Sequence, residues 1–126
     1  MSDWTSDARQ KFEQAEELEL ASLRADGTLR RPVTIWVVRV GDDLYVRAVN
    51  GRDGAWFHGA QERHEGRISG GGVEQVVRFI EVDAADAING QIDAAYRAKY
   101  HRYAASIINT VVSPRARAAT LKLAPR

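Results

Sequence analysis

Three tyrosines in the last third of the chain have the spacing of one helix face. Tyr96, Tyr100 and Tyr103 are separated by four and then three residues, so on a helix their rings can form one aromatic stripe. Phenol rings stack on flat ligands, and their hydroxyl groups donate hydrogen bonds to them. A helix packed on a hydrophobic core is the simpler interpretation, because aromatic stripes usually belong to the core. The pattern therefore indicates either a lid over a flat ligand or ordinary packing.

Other side chains suited to catalysis are sparse. The chain has no cysteine, which excludes disulfides, thiolate metal ligands and cysteine nucleophiles. His58, His64 and His101 are too scattered for a ligand pattern, so no metal site is predicted. No G-x-S-x-G motif of a serine hydrolase occurs. The triplet Gly70-Gly71-Gly72 precedes a predicted strand rather than a helix, so it predicts a turn and not a phosphate-binding loop.

The charge distribution is uneven, although the net charge of +1 gives no general attraction for nucleic acid. No acidic residue occurs from Ala94 to Arg126. The basic residues of this segment are Arg97, Lys99, Arg102, Arg115, Arg117, Lys122 and Arg126. Such a segment either faces an anion or forms ordinary solvated surface.

Length and composition are typical of one globular domain spanning residues 1–126. Hydrophobic residues make up 44% of the chain and charged residues 28%. The first ten residues lack the basic and apolar regions of a signal peptide, and no apolar run approaches membrane-spanning length. The absence of cysteine fits a reducing compartment. We therefore expect a cytoplasmic protein without membrane or nucleic-acid partners.

The segment Gly27–Gly51 has the pattern of one long β-hairpin. Val33–Val38 and Leu44–Val49 are rich in β-branched and aromatic residues, and Gly41-Asp42-Asp43 supplies turn residues between them. Strand alternation predicts a core-facing set and an outer set. The core-facing set is Val33, Ile35, Val37, Arg39, Leu44, Val46 and Ala48. The outer set is Thr34, Trp36, Val38, Tyr45, Arg47 and Val49.

The outer face of this hairpin predicts a homodimer. Trp36, Val38 and Tyr45 are too large and apolar to lie together in water on a small monomer, so we expect a second copy to cover them. Trp36 and Arg47 would be cross-strand neighbours. They could therefore stack as a cation–π pair at the interface.

The remaining segments predict a mainly β fold with peripheral helices, built as an antiparallel barrel of about six strands. The expected strands outside the hairpin are Glu17–Leu23, Arg67–Ser69, Val73–Val82 and Ala119–Ala124, with a type I′ turn at Asp26-Gly27. The expected helices are one capped by Thr5 or Ser6, one capped by Asp53 over Gly54–Arg63, and a helical run from Ala84 through Val112 that Ser113-Pro114 ends.

The segment Arg30–Val46, RRPVTIWVVRVGDDLYV, resembles the central hairpin of the flavin- and deazaflavin-binding split-barrel superfamily. That superfamily includes pyridoxamine phosphate oxidase-like proteins and deazaflavin-dependent nitroreductases. The similarity continues through Asn50-Gly51 and Ala55–His58, and ends with Tyr96–Tyr103 and Ala118–Leu123. Within the superfamily, the chain most resembles a family of small bacterial proteins known only as a domain of unknown function. The resemblance implies a split β-barrel with an N-terminal helix, a mid-chain helix and C-terminal helices.

The resemblance also implies a site for FMN or a deazaflavin. Arg30 and Arg31 would hold the cofactor phosphate, although the same pair could form a charged hairpin edge that resists strand addition. The family's small hydroxyl and lysine after the second strand are here Val49 and Asn50. The full implied set adds Pro32, Val33 and Thr34 beside the ring, Asn50 and Gly51 at the strand exit, Trp56 toward the substrate, and Tyr100 or Tyr103 as the catalytic group.

Two functions from different classes follow from these residues. The first is a flavin- or deazaflavin-binding oxidoreductase-like protein at a dimer interface, in which Tyr100 or Tyr103 orients the substrate or donates a proton. The second is a non-catalytic split barrel that has lost the cofactor and binds a small ligand or dimerises. Arg30 and Arg31 favour the first function, and Val49 in place of a hydroxyl favours the second.

Overall fold

The computed structural model describes residues 4–126. Its strands are β1 (Leu18–Ser22), β2 (Val33–Ile35), β3 (Val38–Val40), β4 (Asp43–Arg47), β5 (Glu65–Gly70), β6 (Val73–Val82) and β7 (Thr120–Pro125). These seven strands form one antiparallel sheet in the order β2-β1-β5-β6-β7-β4-β3. The predicted mainly β, antiparallel fold is confirmed. The described strand count is seven rather than six because one predicted strand is divided in two.

The helices are peripheral, as predicted. They are α1 (Ser6–Gln14), α2 (Ala55–Arg63), α3 (Ile88–Lys99), α4 (Ala105–Val111) and α5 (Pro114–Arg117). Thr5 caps α1, since its hydroxyl accepts a hydrogen bond from the Ala8 amide at 3.1 Å. The prediction that Asp53 caps α2 was wrong. Asp53 belongs to a 3-10 helix, Gly51–Asp53, and Gly54 takes the cap position.

The predicted long hairpin is interrupted at Trp36-Val37. Before the break, β2 pairs with β1; after it, β3 pairs with β4. At the break, the Val37 amide donates to the Tyr100 hydroxyl at 3.2 Å, and Lys99 Nζ donates to the Val37 carbonyl at 2.7 Å. The continuous hairpin was a wrong prediction because side chains at the end of α3 replace the strand ladder here. The two edge strands of the sheet, β2 and β3, are therefore joined by only two residues, which curls the sheet into a half-barrel.

Two turn predictions have different outcomes. At Asp26-Gly27 the chain does turn, but only Gly27 has a positive φ, of 90°, whereas a type I′ turn needs two such residues. The Gly27 amide donates to the Arg24 carbonyl and the Arg24 amide to the Thr28 carbonyl, which is the pattern of a three-residue loop. In the glycine triplet, Gly71 and Gly72 have φ values of 58° and 83° and connect β5 to β6. The prediction of a turn there is confirmed.

The predicted alternation of the central segment is confirmed by two hydrophobic clusters on opposite faces of the sheet. Val37, Leu44, Val46 and Ala48 are buried in the inner cluster. On the outer face, Val38, Tyr45 and half-buried Trp36 pack against Ile92, Tyr96 and Tyr100 and against Ile108 and Val111 of α4. Helices of the same chain thus cover this face. The argument that it must be covered by a second copy is overturned.

The predicted helical run after Ala84 is also divided. α3 ends at Lys99, the next five residues turn, and α4 begins at Ala105. Ser113-Pro114 does not only end a helix but begins α5, because the Ser113 hydroxyl accepts from the Ala116 amide at 3.1 Å. Among the helices of residues 4–126, none combines the length and the apolar character needed to cross a bilayer.

Candidate functional site

The half-barrel has a cavity of about 340 Å³ beside its edge strand β2. We call it the tryptophan cavity, after Trp36 and Trp56 in its lining. The other lining residues are Glu17, Val33, Thr34, Ile35, Arg47, Val49, Asn50, Ile107, Thr110 and Val111. Its volume lies in the range of small-molecule sites, roughly 300–1,000 Å³. β2 pairs with β1 on one side and has no partner strand in the described sheet on the other. Backbone groups of an edge strand are therefore available to a ligand.

Trp36 is held in this lining by the predicted tyrosines. Its indole lies parallel to the Tyr100 ring, with centroids 3.8 Å apart and an interplanar angle of 4°. Tyr103 contacts the same indole at 4.9 Å in a tilted arrangement. The Tyr96 ring lies against the Tyr100 ring, with the two centroids 6.1 Å apart. The stripe expected from spacing therefore exists, and it supports Trp36 rather than lining the cavity itself.

The Tyr100 hydroxyl is fully engaged. It accepts from the Val37 amide at 3.2 Å and lies 2.8 Å from the Glu16 carbonyl, to which it donates. The side chain is completely buried, and burial raises the pKa of its phenol. These contacts join the segment after α1, the strand break and the end of α3. The predicted catalytic role of Tyr100 stays a prediction, and the contacts described for it are structural.

Tyr103 is half-buried and donates to Glu16 Oε1 at 2.8 Å. This hydrogen bond, followed by burial and the Glu16 charge, raises the pKa of the Tyr103 phenol. The Glu16 carboxylate also pairs with Arg102, and together these partners hold the pKa of Glu16 below its usual value. The predicted catalytic role of Tyr103 likewise stays a prediction. Its hydroxyl is hydrogen-bonded to the carboxylate of Glu16, whose neighbour in the chain, Glu17, lines the cavity.

Arg47 forms a buried polar centre in the cavity wall, with a fully buried side chain. Its Nε donates to the Thr120 hydroxyl at 2.9 Å, and its two terminal nitrogens reach Asp93, the Val111 carbonyl and both oxygens of Asn89. All five guanidinium donors thus have acceptors. The network ties β4 to α3, α4 and β7, so Arg47 fixes the wall of the tryptophan cavity.

Asp93 lies between two arginines in this network. Burial would raise the pKa of Asp93, but hydrogen bonds and charges from Arg117 and Arg47 lower it below the usual value of aspartate. The predicted cation–π pair of Arg47 with Trp36 was wrong. The Arg47 guanidinium lies over Tyr96 instead, 5.7 Å from the ring centroid, because the buried carboxylate draws it under α3.

The predicted cofactor-binding residues divide into two groups. Val33, Thr34, Asn50 and Trp56 line the tryptophan cavity, although they come from three separate parts of the chain. Thr34 directs its hydroxyl to Glu19 Oε1 at 2.9 Å. Asn50 is exposed and its side chain makes no hydrogen bond within residues 4–126. The structure thus brings together half of the implied set.

The other half lies outside the lining. Arg30 forms an ion pair with Glu62 of α2, and with exposed Pro32 it lines a separate surface depression. Arg31 is exposed and has no hydrogen bond or ion pair in the described part of the chain. Gly51, at φ 74°, is buried under the Arg115 side chain, and an added Cβ would lie 2.6 Å from Arg115 Cγ. Of the two predicted phosphate ligands, Arg31 is the uncommitted one.

Sequence reasoning missed the contribution of α4 to the cavity, which comprises Ile107, Thr110 and Val111. The hydrophobic period continues without interruption across the turn after α3, so it could not reveal that a new helix begins. The polar centre did leave a signal. Asn89 and Asp93 are four residues apart on the same face of α3 as Tyr96, where apolar residues would otherwise be expected.

Comparison with known proteins identifies the family of this chain and solved structures with the same fold. A family model described as "Uncharacterized protein conserved in bacteria (DUF2255)" matches residues 9–123. The chain belongs to the DUF2255 family. A search of the curated proteins finds no match.

Two solved structures share the fold of this DUF2255 chain. One is described as an "F420 Reductase", with a TM-score of 0.60, 15% sequence identity, and coverage of 94% of this chain and 92% of the other. The second is the FAD and heme binding protein from Mycobacterium smegmatis, with a TM-score of 0.54, 17% identity, and coverage of 98% of this chain and 66% of the other. The predicted membership of a bacterial family known only as a domain of unknown function is confirmed by the family match, and the likeness to the two solved structures concerns the fold.

Proposed function

We propose that this DUF2255 protein binds the ring of a flavin or deazaflavin in the tryptophan cavity and belongs to the oxidoreductase-like members of its superfamily. The observation that carries the proposal is the convergence of Val33, Thr34, Asn50 and Trp56 on one cavity beside an unpaired strand edge. The same four residues belong to the set that the sequence resemblance implies. Solved structures of the same fold are described as an F420 reductase and an FAD and heme binding protein, which supports the ligand class.

The residues present fit a flat aromatic ring. Trp36 and Trp56 offer aromatic surfaces, and the exposed edge of Val33–Ile35 offers backbone donors and acceptors. Asn50 adds an uncommitted side-chain amide. When bound, such a ring supplies hydride chemistry, while the protein supplies binding and orientation. Arg47 and the tyrosines stabilise the cavity wall. Arg47 holds Val111 through a hydrogen bond to its carbonyl, and Tyr100 and Tyr103 hold the Trp36 indole.

Arg31 is the residue proposed to hold the cofactor phosphate. It lies two residues before Val33 of the cavity lining and has no competing carboxylate among the described residues. Arg30 would first have to leave Glu62, so its contribution should be smaller. Arginine suits phosphate because its planar fork gives two charge-assisted hydrogen bonds.

A non-catalytic binding module is the second candidate function. It is favoured by Val49, which stands where the family usually has a hydroxyl and which is 45% exposed at the cavity. It is also favoured by the engagement of Arg30 with Glu62. In this function, the tryptophan cavity takes an uncharged aromatic ligand without redox chemistry.

The homodimer and the cytoplasmic location inferred from the sequence are further parts of the proposal. Val49 and Ile107, exposed by 45% and 47%, lie at the same cavity and give a second copy an apolar surface to cover. Light scattering tests the dimer directly. A monomer mass at micromolar concentration would remove it from the proposal.

Titration of the full chain with FMN and with a deazaflavin, followed by ring fluorescence, tests the cofactor. We expect binding, weakened about tenfold or more in Arg31→Gln, because a charge-assisted contact contributes about 1.5–3 kcal/mol. Trp56→Leu should also weaken binding, and Arg30→Gln should do so less than Arg31→Gln. Arg97→Gln is the matched control, since Arg97 is exposed on α3 and lines no part of the cavity.

The possible results separate the two candidates. If the wild type binds neither cofactor at millimolar concentration, the redox function fails and the binding module stands. If it binds but Arg31→Gln and Trp56→Leu bind equally well, the cofactor lies elsewhere and our residue assignment is wrong.

A further inference from the structure

A second, more polar depression lies on another side of the molecule, between α1, β3 and α3. We call it the cationic groove. It has a volume of about 660 Å³, and its charged lining residues are Arg9, Arg39 and Lys99 with a single carboxylate, Glu13. It shares no lining residue with the tryptophan cavity. The three cations come from three elements that are distant in the chain, so the fold itself assembles them.

Arg9 is the unusual member of this set. Its side chain is only 16% exposed, yet its guanidinium makes no hydrogen bond within residues 4–126. Its Nε is completely buried without an acceptor. Its one ion pair, to the exposed Asp42, spans 3.7 Å, which is beyond hydrogen-bond distance. Buried donors are normally paired, so this guanidinium has unused binding capacity.

Arg39 forms an ion pair with Glu13, the only carboxylate of the lining. Its Nη1 donates to Glu13 Oε1 at 3.1 Å, and its Nε donates to the Gly41 carbonyl at 2.7 Å. Arg39 is thereby fixed as part of the wall. Neither the guanidinium of Arg9 nor the ammonium of Lys99 makes a hydrogen bond to Glu13.

Lys99 is half-buried and has donors to spare. It donates one hydrogen bond, to the Val37 carbonyl, and an ammonium group carries three N–H bonds. Burial lowers the pKa of Lys99 to about 8, although the charges of Glu16 and Glu13 act in the opposite direction. A bound anion at this position would compensate the cost of burying the ammonium charge.

We propose that the cationic groove binds a small molecule bearing a phosphate or carboxylate group, held by the guanidinium of Arg9 and the ammonium of Lys99. Arg9 would provide a planar fork for two oxygens, and Lys99 would provide a compact point charge. The neutral side chains of Ser6, Gln10 and Gln14 in the same lining would bond the uncharged part of the ligand. This site is independent of the proposed cofactor.

The test is a two-dimensional NMR titration of the full chain with inorganic phosphate and, separately, with succinate, at constant ionic strength. We expect saturable shifts of amides in α1 and α3, including those of Ala95 and Ala98, whose residues line the groove. Arg9→Gln should weaken binding about tenfold or more, as expected for a charge-assisted contact. The probe that binds more tightly identifies the anionic group.

Two control variants make the result specific. Lys11→Gln removes an exposed cation of α1 that pairs with Asp7 outside the groove, and Arg97→Gln removes an exposed cation of α3 that does not line the groove. Both should bind the probe as the wild type does. If Arg9→Gln does not fold, Lys99→Met carries the same expectation. Absence of saturable shifts in the wild type, or unchanged affinity in the folded Arg9→Gln or Lys99→Met variant, would overturn the proposal.

Discussion

Arg47 and Arg9 are both largely buried arginines, but their surroundings are opposite. Arg47 has acceptors for all five guanidinium donors, including the carboxylate of Asp93, whereas the guanidinium of Arg9 makes no hydrogen bond within residues 4–126. A buried charge that is fully paired belongs to the fold, since removing it leaves its partners unsatisfied. A shielded charge without acceptors has capacity for a ligand. Arginine therefore has a structural role in the wall of the tryptophan cavity and, as proposed, a binding role in the cationic groove.

The largest expected effect comes from Arg47→Met. It should lower the free energy of unfolding by about 3–5 kcal/mol, because Asp93, Asn89 and the Val111 carbonyl lose a buried partner. Chemical denaturation measures this change. A loss below about 1 kcal/mol would mean that the network can rearrange around a neutral side chain, and the contrast with Arg9 would disappear.

Asp93→Asn should have a smaller effect of about 2 kcal/mol at neutral pH, since the amide keeps part of the hydrogen bonding. The pH dependence is more specific. The pKa of Asp93 is lowered in the folded protein, so its carboxylate stabilises the fold above the unfolded pKa of about 3.9 and loses this contribution as pH falls further. The stability difference between wild type and Asp93→Asn should therefore shrink below about pH 4. A difference that is constant with pH would contradict the lowered pKa.

Strand alternation was sufficient to place Arg47 on the outer face with Val38 and Tyr45, because that periodicity depends only on local geometry. It could not tell whether a second copy or the chain's own helices cover that face, which is a matter of tertiary arrangement. The interruption at Trp36-Val37 was equally hidden. It depends on Lys99 and on a hydroxyl from Tyr100, both more than sixty residues away in the chain.

The site was only partly predictable for a related reason. The resemblance stated from the sequence pointed to Val33, Thr34, Asn50 and Trp56, and the fold brings these residues to one cavity. It could not identify Ile107 and its neighbours in α4, since no local signal marks the turn that starts this helix. The cationic groove left a weak signal, the acid-free segment from 94 to 126 that contains Lys99. Arg9 gave none, because the lack of hydrogen-bond acceptors for its guanidinium arises only in the folded chain.

Lys99 is intermediate between Arg47 and Arg9, because it is half-buried and its ammonium group makes one hydrogen bond. The dependence of protein stability on pH should reveal this intermediate state. Its pKa is about 8 in the folded protein and about 10.4 when exposed, so between these values the unfolded chain binds more protons. The wild type should therefore gain stability relative to Lys99→Met as pH rises from about 8 to 10.4. Denaturation of both proteins at several pH values measures the difference. A relative loss of stability over this range would show that the ammonium form is favoured by folding.

Arg9→Met should have the smallest effect of all on stability. No hydrogen bond within the described residues is lost, and the apolar side chain can replace the packing of the arginine stem, so the free energy of unfolding should change by no more than about 0.5 kcal/mol. Saturating inorganic phosphate should then separate the variants. It should stabilise the wild type, because a ligand that binds only the folded state shifts the unfolding equilibrium, and it should stabilise Arg9→Met far less. A large loss of stability in Arg9→Met without ligand would instead make Arg9 a structural residue like Arg47, and the difference between the two regions would be one of degree.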